Sequence, residues 1–257
     1  METKVTVILN VYKRLDYLHD QLESIRNQTV PVDIWIDYTV PAGEPMYDLT
    51  EIAPDAKITT HVNQNFHHIG RFYHALNVQT PYIFIIDDDI IPGINYIQHC
   101  LDTMNQVGDS VLTAYGLILN PEIKKYKPIK RLGWHSLLNN SAGFNSPQQV
   151  DMAGHSWFFK KTTLKYITYE EPIVQNNGED LHFSYCCSKY GNLPIIVPSH
   201  EKNKPENWSC DVTKGMKYGN DEYATWRRDS HQTLRDSIVQ HQINNGWKLL
   251  EMHKKRS

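Results

Sequence analysis

The 257-residue sequence has only four cysteines, Cys100, Cys186, Cys187 and Cys210, and no Cys-x-x-Cys pair among them. That arrangement does not resemble a secreted disulfide framework. Long apolar runs are absent too. The longest, Tyr82-Ile83-Phe84-Ile85-Ile86, is far shorter than a bilayer-crossing helix requires, and the mean hydropathy is polar at -0.53. No basic-then-apolar leader opens the chain, because Met1-Glu2-Thr3-Lys4 runs straight into a strand-like segment. Glycine-rich phosphate loops are missing: the first apolar run leads into Asn10-Val11-Tyr12-Lys13-Arg14, which contains no glycine. Neither a Gly-x-Gly-x-x-Gly dinucleotide fingerprint nor a P-loop follows it. There is no internal repeat, low-complexity tract or interdomain linker. These absences lead to the expectation of a reduced, cytoplasmic protein with one domain over residues 1–257 and no transmembrane segment.

What is present fits a globular protein. Apolar residues make up 40%, aromatic 11% and charged 21%, which excludes a disordered or collagen-like chain. The length suffices to bury a large core without disulfides. The formal charge of -3 conceals an asymmetry, since residues 1–120 carry 6 Lys+Arg and 15 Asp+Glu, a net of -9. Residues 121–257 carry the other 20 Lys+Arg and 14 Asp+Glu, a net of +6. A cation-binding half joined to an anion-binding half explains such a split, and so does ordinary solvated surface charge.

The first 120 residues alternate strand and helix patterns. Val5–Leu9 is rich in β-branched residues and reads as a buried strand; Leu15, Leu18, Leu22 and Ile25 recur at helical spacing over residues 14–28. Val32–Tyr38 and Lys57–Val62 are further strands, Gly70–Val78 a helix, and Tyr82–Ile86 the clearest strand of all. A helix over residues 94–106 and a strand from Val111 to Leu119 follow. This alternation predicts an α/β fold with a mainly parallel, twisted sheet flanked by helices. Residues 120–148, rich in Lys, Asn, Gly and Pro, read as one long connection. Then come β-like stretches at Gln149–Met152 and Ser156–Phe159, a helix from Gly178, a strand at Leu193–Val197, a mobile polar loop over residues 199–222, and a helix over residues 230–245.

Asp87-Asp88-Asp89 stands directly after the strand Tyr82–Ile86. Ligands of open α/β sheets bind at the carboxyl ends of the strands, and three adjacent carboxylates repel one another unless a cation compensates them. In extended backbone Asp87 and Asp89 point to one side, so both can reach one hard divalent cation such as Mg2+ or Mn2+. A solvated acidic turn is the plainer alternative. A phosphatase-type Asp-x-Asp fits poorly, because that nucleophile follows the first strand, and here Ile91 stands two residues past Asp89.

Four motifs in order, Val7-Ile8-Leu9-Asn10-Val11-Tyr12-Lys13-Arg14, Asp87-Asp88-Asp89, Asn177-Gly178-Glu179-Asp180 and Asp229–Arg235 closing with Gly246-Trp247, resemble a GT-A nucleotide-sugar glycosyltransferase. The likeness is to the family-2-like and exostosin-like branch, and it spans residues 5 to about 247. It implies a nucleotide-sugar-binding half over residues 1–120 and an acceptor-binding half over residues 121–257. It implies Asp89 and Asp87 as ligands of Mn2+ or Mg2+, His231 as a third ligand with His200 as its rival, and Asp88 beside the donor. Glu179 and Asp180 stand on the acceptor side, Asp180 as a general base in inverting relatives. Arg235, one turn after His231, and Arg71 would pair with diphosphate oxygens. Asn10, Tyr12, Arg14, Asp37 and Asn65 would line the donor base and ribose, and Gly154, His155 and Trp157 the acceptor.

The activity implied is transfer of a sugar from a nucleotide diphosphate donor, UDP by resemblance, to a hydroxyl acceptor, ordinarily a glycan. A sharper alternative is a phage-type enzyme glucosylating hydroxymethylated DNA in a host cytoplasm. The basic run Lys124, Lys125, Lys127, Lys130 and Arg131, with Lys202, Lys204 and Lys254-Lys255-Arg256, would suit a phosphate backbone. A nucleotidyltransferase and a non-catalytic sugar-nucleotide-binding module are the remaining rivals.

Overall fold

A computed structural model describes residues 4–137 and 143–250. Lys254, Lys255 and Arg256 of the basic run lie outside the described residues. Strands β1 (Val5–Val11), β2 (Val32–Val40), β3 (Ala56–Val62) and β4 (Tyr82–Ile86) alternate with helices α1 (Leu15–Arg26) and α2 (Gly70–Ala75), and α3 (Tyr96–Val107) follows β4. Next come β5 (Val111–Leu112), β6 (Tyr115–Leu119), β7 (Pro128–Gly133), β8 (Gly143–Phe144), β9 (Gln148–Val150), β10 (Met152–Gly154) and β11 (Ser156–Lys160). The chain continues through α4 (Glu179–Gly191), β12 (Ile195–Val197), β13 (His200–Glu201), α5 (Val212–Tyr218) and α6 (His231–Asn244).

Eight strands form one sheet in the order β3-β2-β1-β4-β11-β5-β12-β9. β3, β2, β1 and β4 run parallel, joined by long crossovers that are helical except between β2 and β3, where residues 41–55 make the return without a helix. β11 is antiparallel to both β4 and β5, β12 is parallel to β5, and β9 is antiparallel to β12. The sheet is therefore mixed, with its parallel character concentrated in the first half. A second, antiparallel sheet joins β10, β6 and β7, and β13 pairs with β8.

Both faces of the parallel half are covered, which is why β1 and β4 read as continuous apolar runs. Leu18, Leu22 and Ile25 of α1 pack on Val7, Leu9, Ile34 and Ile36. On the opposite face Phe72 and Ala75 of α2 meet Ile8, Trp35, Ile83 and Ile85. A third cluster ties α4 and α6 to β6 and β10 through Leu117, Met152, Leu181, Tyr185, Ile238 and Trp247.

Three expectations need correction. The strand over Val111–Leu119 is broken into β5 and β6, and the two parts enter different sheets. Thr113, between them, is fully buried, and its hydroxyl donates to Gly154 O at 2.8 Å. The connection over residues 120–148 contains β7, whose Lys130 and Arg131 are both exposed, Arg131 donating to the Tyr115 hydroxyl at the cavity. The polar segment 199–222 is folded, with Asp211 capping α5 by accepting Lys214 N–H at 2.9 Å. Among the described residues no helix is long and apolar enough to cross a membrane.

Candidate active site

The carboxyl end of β4 opens into a cavity of about 820 Å³. Its floor is built by backbone pairing. Gln21 of α1 donates its side-chain amide to Asp87 O at 2.7 Å and Ile90 O at 3.1 Å, pinning the acidic turn from below. From the other side the β4–β11 ladder runs one step past Ser156↔Ile86, and Asp87 N–H donates to His155 O at 2.9 Å. That register sets His155 opposite Asp87. His155 adopts a left-handed backbone with φ of 66°, an uncommon state for a residue with a side chain.

Each acidic residue has an arginine partner. Arg71, only 2% exposed, bridges Asp87 and Glu179, at 2.7 Å to the latter, and lies 4.5 Å over the Trp157 ring. Arg14 reaches Asp88 at 2.6 Å and Asp89 at 3.5 Å, while its other edge clasps Asp221 at 2.6 and 2.8 Å. Arg235 reaches Asp180 at 2.6 Å, accepts no exposure to speak of, and stacks 4.1 Å over Tyr126. Burial pushes the Asp88 carboxyl up to about 6. Burial, reinforced by the neighbouring Asp87 charge, pushes Asp89 up to about 7. Burial alone would also raise Asp180, but Arg235 outweighs it and holds that carboxylate below its ordinary value.

The donor set fits a divalent cation. Ligand-capable atoms of Asp87, Asp89 and His155 lie within 4.8 Å of one another. Asp89 Oδ1 and His155 Nδ1 are both buried with no hydrogen-bond partner, an expense of roughly 1–3 kcal/mol apiece that a bound ion would relieve. A cation would equally favour the ionised form of Asp88 and Asp89.

The predicted residues are largely gathered here. Asn10, Tyr12, Asn65 and Asp88 line the cavity on the β1 side, and Gly154, His155, Trp157, Glu179 and Asp180 line it on the other. Several roles change. Arg71 and Arg235, expected to meet a diphosphate, are committed to carboxylates, and Arg14 is a clamp on the acidic turn. Asp37 does not line the cavity; it is buried on the α2 face of β2, accepting or sharing a 2.8 Å hydrogen bond with His61 Nε2. His231 lines the cavity but stands against Asn177 and Tyr126 rather than in the Asp87–Asp89 group. His200 is fully buried away from the cavity, with both ring nitrogens bonded, to Pro198 O at 2.9 Å and Ser209 Oγ at 2.6 Å. It has no lone pair to spare for a metal.

Sequence reasoning missed Asp221, whose segment reads only as polar loop, and the aromatic wall of Tyr115, Tyr126 and His135. It also missed Arg227 and Arg228, exposed at the cavity rim where α6 begins. Seven basic and six acidic side chains line the space, a net of +1 before any cation binds.

No family model matches this sequence, and no curated protein is similar to it. Among solved structures, residues 1–349 of S. aureus TarS, a glycosyltransferase of GT-A-like fold, align with a TM-score of 0.52 and 14% identity. The alignment covers 94% of this chain and 71% of that one. At such identity the likeness establishes the fold: this chain is a mixed α/β domain with a glycosyltransferase-like fold.

Proposed function

We propose that the chain is a divalent-metal-dependent glycosyltransferase, moving a sugar from a nucleoside diphosphate donor, UDP in our reading, to a hydroxyl of a glycan. The observation that carries this reading is one cavity lined by Asp87 and Asp89 at the end of β4 and by Asp180 at the start of α4 with its partner Arg235 of α6. The fold likeness supports it.

In this reading Asp87 and Asp89 hold Mn2+ or Mg2+, which supplies positive charge for the departing diphosphate. Arg71 keeps Asp87 oriented, and Glu179 fixes Arg71 from the far side. Asn10 and Tyr12 flank the nucleoside, while Lys13, over the Tyr12 and Tyr223 rings, and Arg228 add positive charge at the rim for phosphate oxygens. Asp180 has both oxygens engaged, one by Arg235 and one by Leu181 N–H at 2.7 Å. Each oxygen keeps a further lone pair with which to accept from the acceptor hydroxyl, and because Arg235 holds the carboxylate below its ordinary value it takes the proton only as the bond to the diphosphate breaks. Tyr115 and Tyr126 give the acceptor side apolar ring surface for a sugar, while Trp157, 1% exposed and covered by Arg71, supports that wall from beneath.

The test is a donor screen that reads nucleoside diphosphate release with Mn2+, run with glycan and hydroxymethylated DNA acceptors side by side. UDP release with a glycan supports the reading. Asp89→Asn should lower turnover by at least roughly 100-fold while leaving the melting temperature intact. Undiminished turnover in that variant overturns the metal assignment, and pyrophosphate release from a nucleoside triphosphate would mark a nucleotidyltransferase instead.

A further inference from the structure

We propose that His155, not His231, is the nitrogen ligand of the cation held by Asp87 and Asp89, and that it biases the site toward Mn2+ and against Mg2+. This inference rests on the cation-dependent reading above and adds a ligand to it.

Three independent observations converge on His155. Among the described residues, a ring nitrogen of His155 belongs to the one group that contains both Asp87 and Asp89, with all ligand atoms within 4.8 Å. Its Nδ1 is buried and unpartnered, as is Asp89 Oδ1, so two residues of this group each carry a buried polar atom whose need is unmet. Its backbone is left-handed at φ of 66°, although Gly154 next to it could have taken that conformation without cost. A strained conformation persists when the surroundings demand it, and such strain gathers at functional sites. Here the demand is visible: the β4–β11 register and the Asp87 N–H to His155 O bond fix the backbone across from the first aspartate.

The ring is also held. Tyr115, His135 and Trp134 stand against it, with centroids at 4.9, 5.3 and 5.9 Å. A ligand fixed this way meets a metal without a large ordering cost. His231 has different company, namely Asn177, whose side chain lies 3.4 Å from its Nδ1, and the edge of Tyr126. Its place is beside the Asp180–Arg235 pair.

The choice of ligand has a chemical consequence. Imidazole nitrogen suits the later divalent metals and is accepted by Mn2+, the weakest binder of that series, whereas Mg2+ strongly prefers oxygen and keeps its water. Two carboxylates alone discriminate little between Mn2+ and Mg2+; two carboxylates and an imidazole discriminate in favour of Mn2+.

The experiment uses the full chain, Mn2+ alone and Mn2+ with UDP, and electron spin echo envelope modulation to detect 14N coupled to the bound ion. The native protein and His231→Ala should both show 14N coupling, and His155→Asn should lose it. Mn2+ affinity in His155→Asn should fall by at least roughly tenfold with Mg2+ affinity little changed, so that Mg2+ competes correspondingly better against Mn2+. Asn tolerates the left-handed conformation, so this variant should fold; His155→Gly, free to adopt φ of 66°, serves as the second variant, and melting curves check both. Coupling that survives in both His155 variants, or disappears in His231→Ala, overturns the inference while leaving the cation reading intact. A native protein that binds no Mn2+ under either condition overturns the cation reading itself, and this inference with it.

Discussion

Arg71→Met is the sharpest test of how the acidic cluster is held. The guanidinium is 2% exposed, joins Asp87 to Glu179, and covers Trp157. Methionine keeps most of the apolar volume against Trp157 and removes only the charge and its hydrogen bonds. Glu179, 9% exposed, then loses its buried counter-ion, and Asp87 is left beside Asp88 and Asp89 with none. Breaking a buried pair from one side costs about 3–5 kcal/mol, because the stranded charge remains desolvated. In a domain of this length that corresponds to a fall of roughly 10 °C in melting temperature. Glu179→Gln alone removes one charge-assisted hydrogen bond and should cost about 1–3 kcal/mol. The double variant should be less destabilised than the sum of the two by about 2 kcal/mol, since removing both partners strands less charge. Urea denaturation at pH 7 with all four proteins closes this cycle. A loss below about 1 kcal/mol for Arg71→Met, the value of an exposed pair, or strict additivity in the double variant, would refute the reasoning.

His200 gives a pH prediction independent of the cavity. Burial pushes its imidazolium down to about 4 from an ordinary 6.5, so as pH falls the unfolded chain takes up the proton first. The associated stability is complete above pH 6.5, declines between there and about 4, and the loss reaches roughly 3 kcal/mol below that. Urea midpoints from pH 7.5 to 4 should show this decline and His200→Gln should flatten it; parallel profiles would count against it. Gly178, at the start of α4, has φ of 78°, and a Cβ there would stand 2.3 Å from Ile238 Cδ1. Gly178→Ala should cost about 2–4 kcal/mol in thermal or urea unfolding, and Ile238→Val, which lacks that methyl, should recover only the steric part. Full recovery would show that backbone strain contributes nothing.

Patterns that are local in the chain were legible in the sequence. The β4 run and the aspartates after it are contiguous, and the Leu15, Leu18, Leu22 and Ile25 spacing of α1 needs no tertiary information. β7 was hidden because Ile129, Lys130 and Arg131 are exposed in succession, which erases the period-two alternation of a half-buried strand, on a sheet edge where charge is the usual protection against unwanted pairing. α5 was hidden because seven residues carry too short a periodicity to separate from loop, although Asp211 as its cap was a readable signal. The candidate site was legible in its residue types and not in its partnerships. Arg14 finds Asp221 across 207 positions, and Arg71 finds Glu179 across 108. No periodicity reports such pairs. The placement of His155 opposite Asp87 depends on β11 running antiparallel beside β4, a choice made by packing that no motif in either strand encodes.

The position of β11 also decides how the molecule can be taken apart. It lies between β4 and β5 in the sheet, so a strand from the second half is inserted between two strands of the first. The acidic and basic halves of the charge map are therefore not modules that could be severed near residue 120 and rejoined through a linker. Each piece would carry raw strand edges with donors and acceptors open to any passing chain. Recombination between relatives of this protein would have to exchange both halves together, and a circular permutation would have to place its new ends elsewhere.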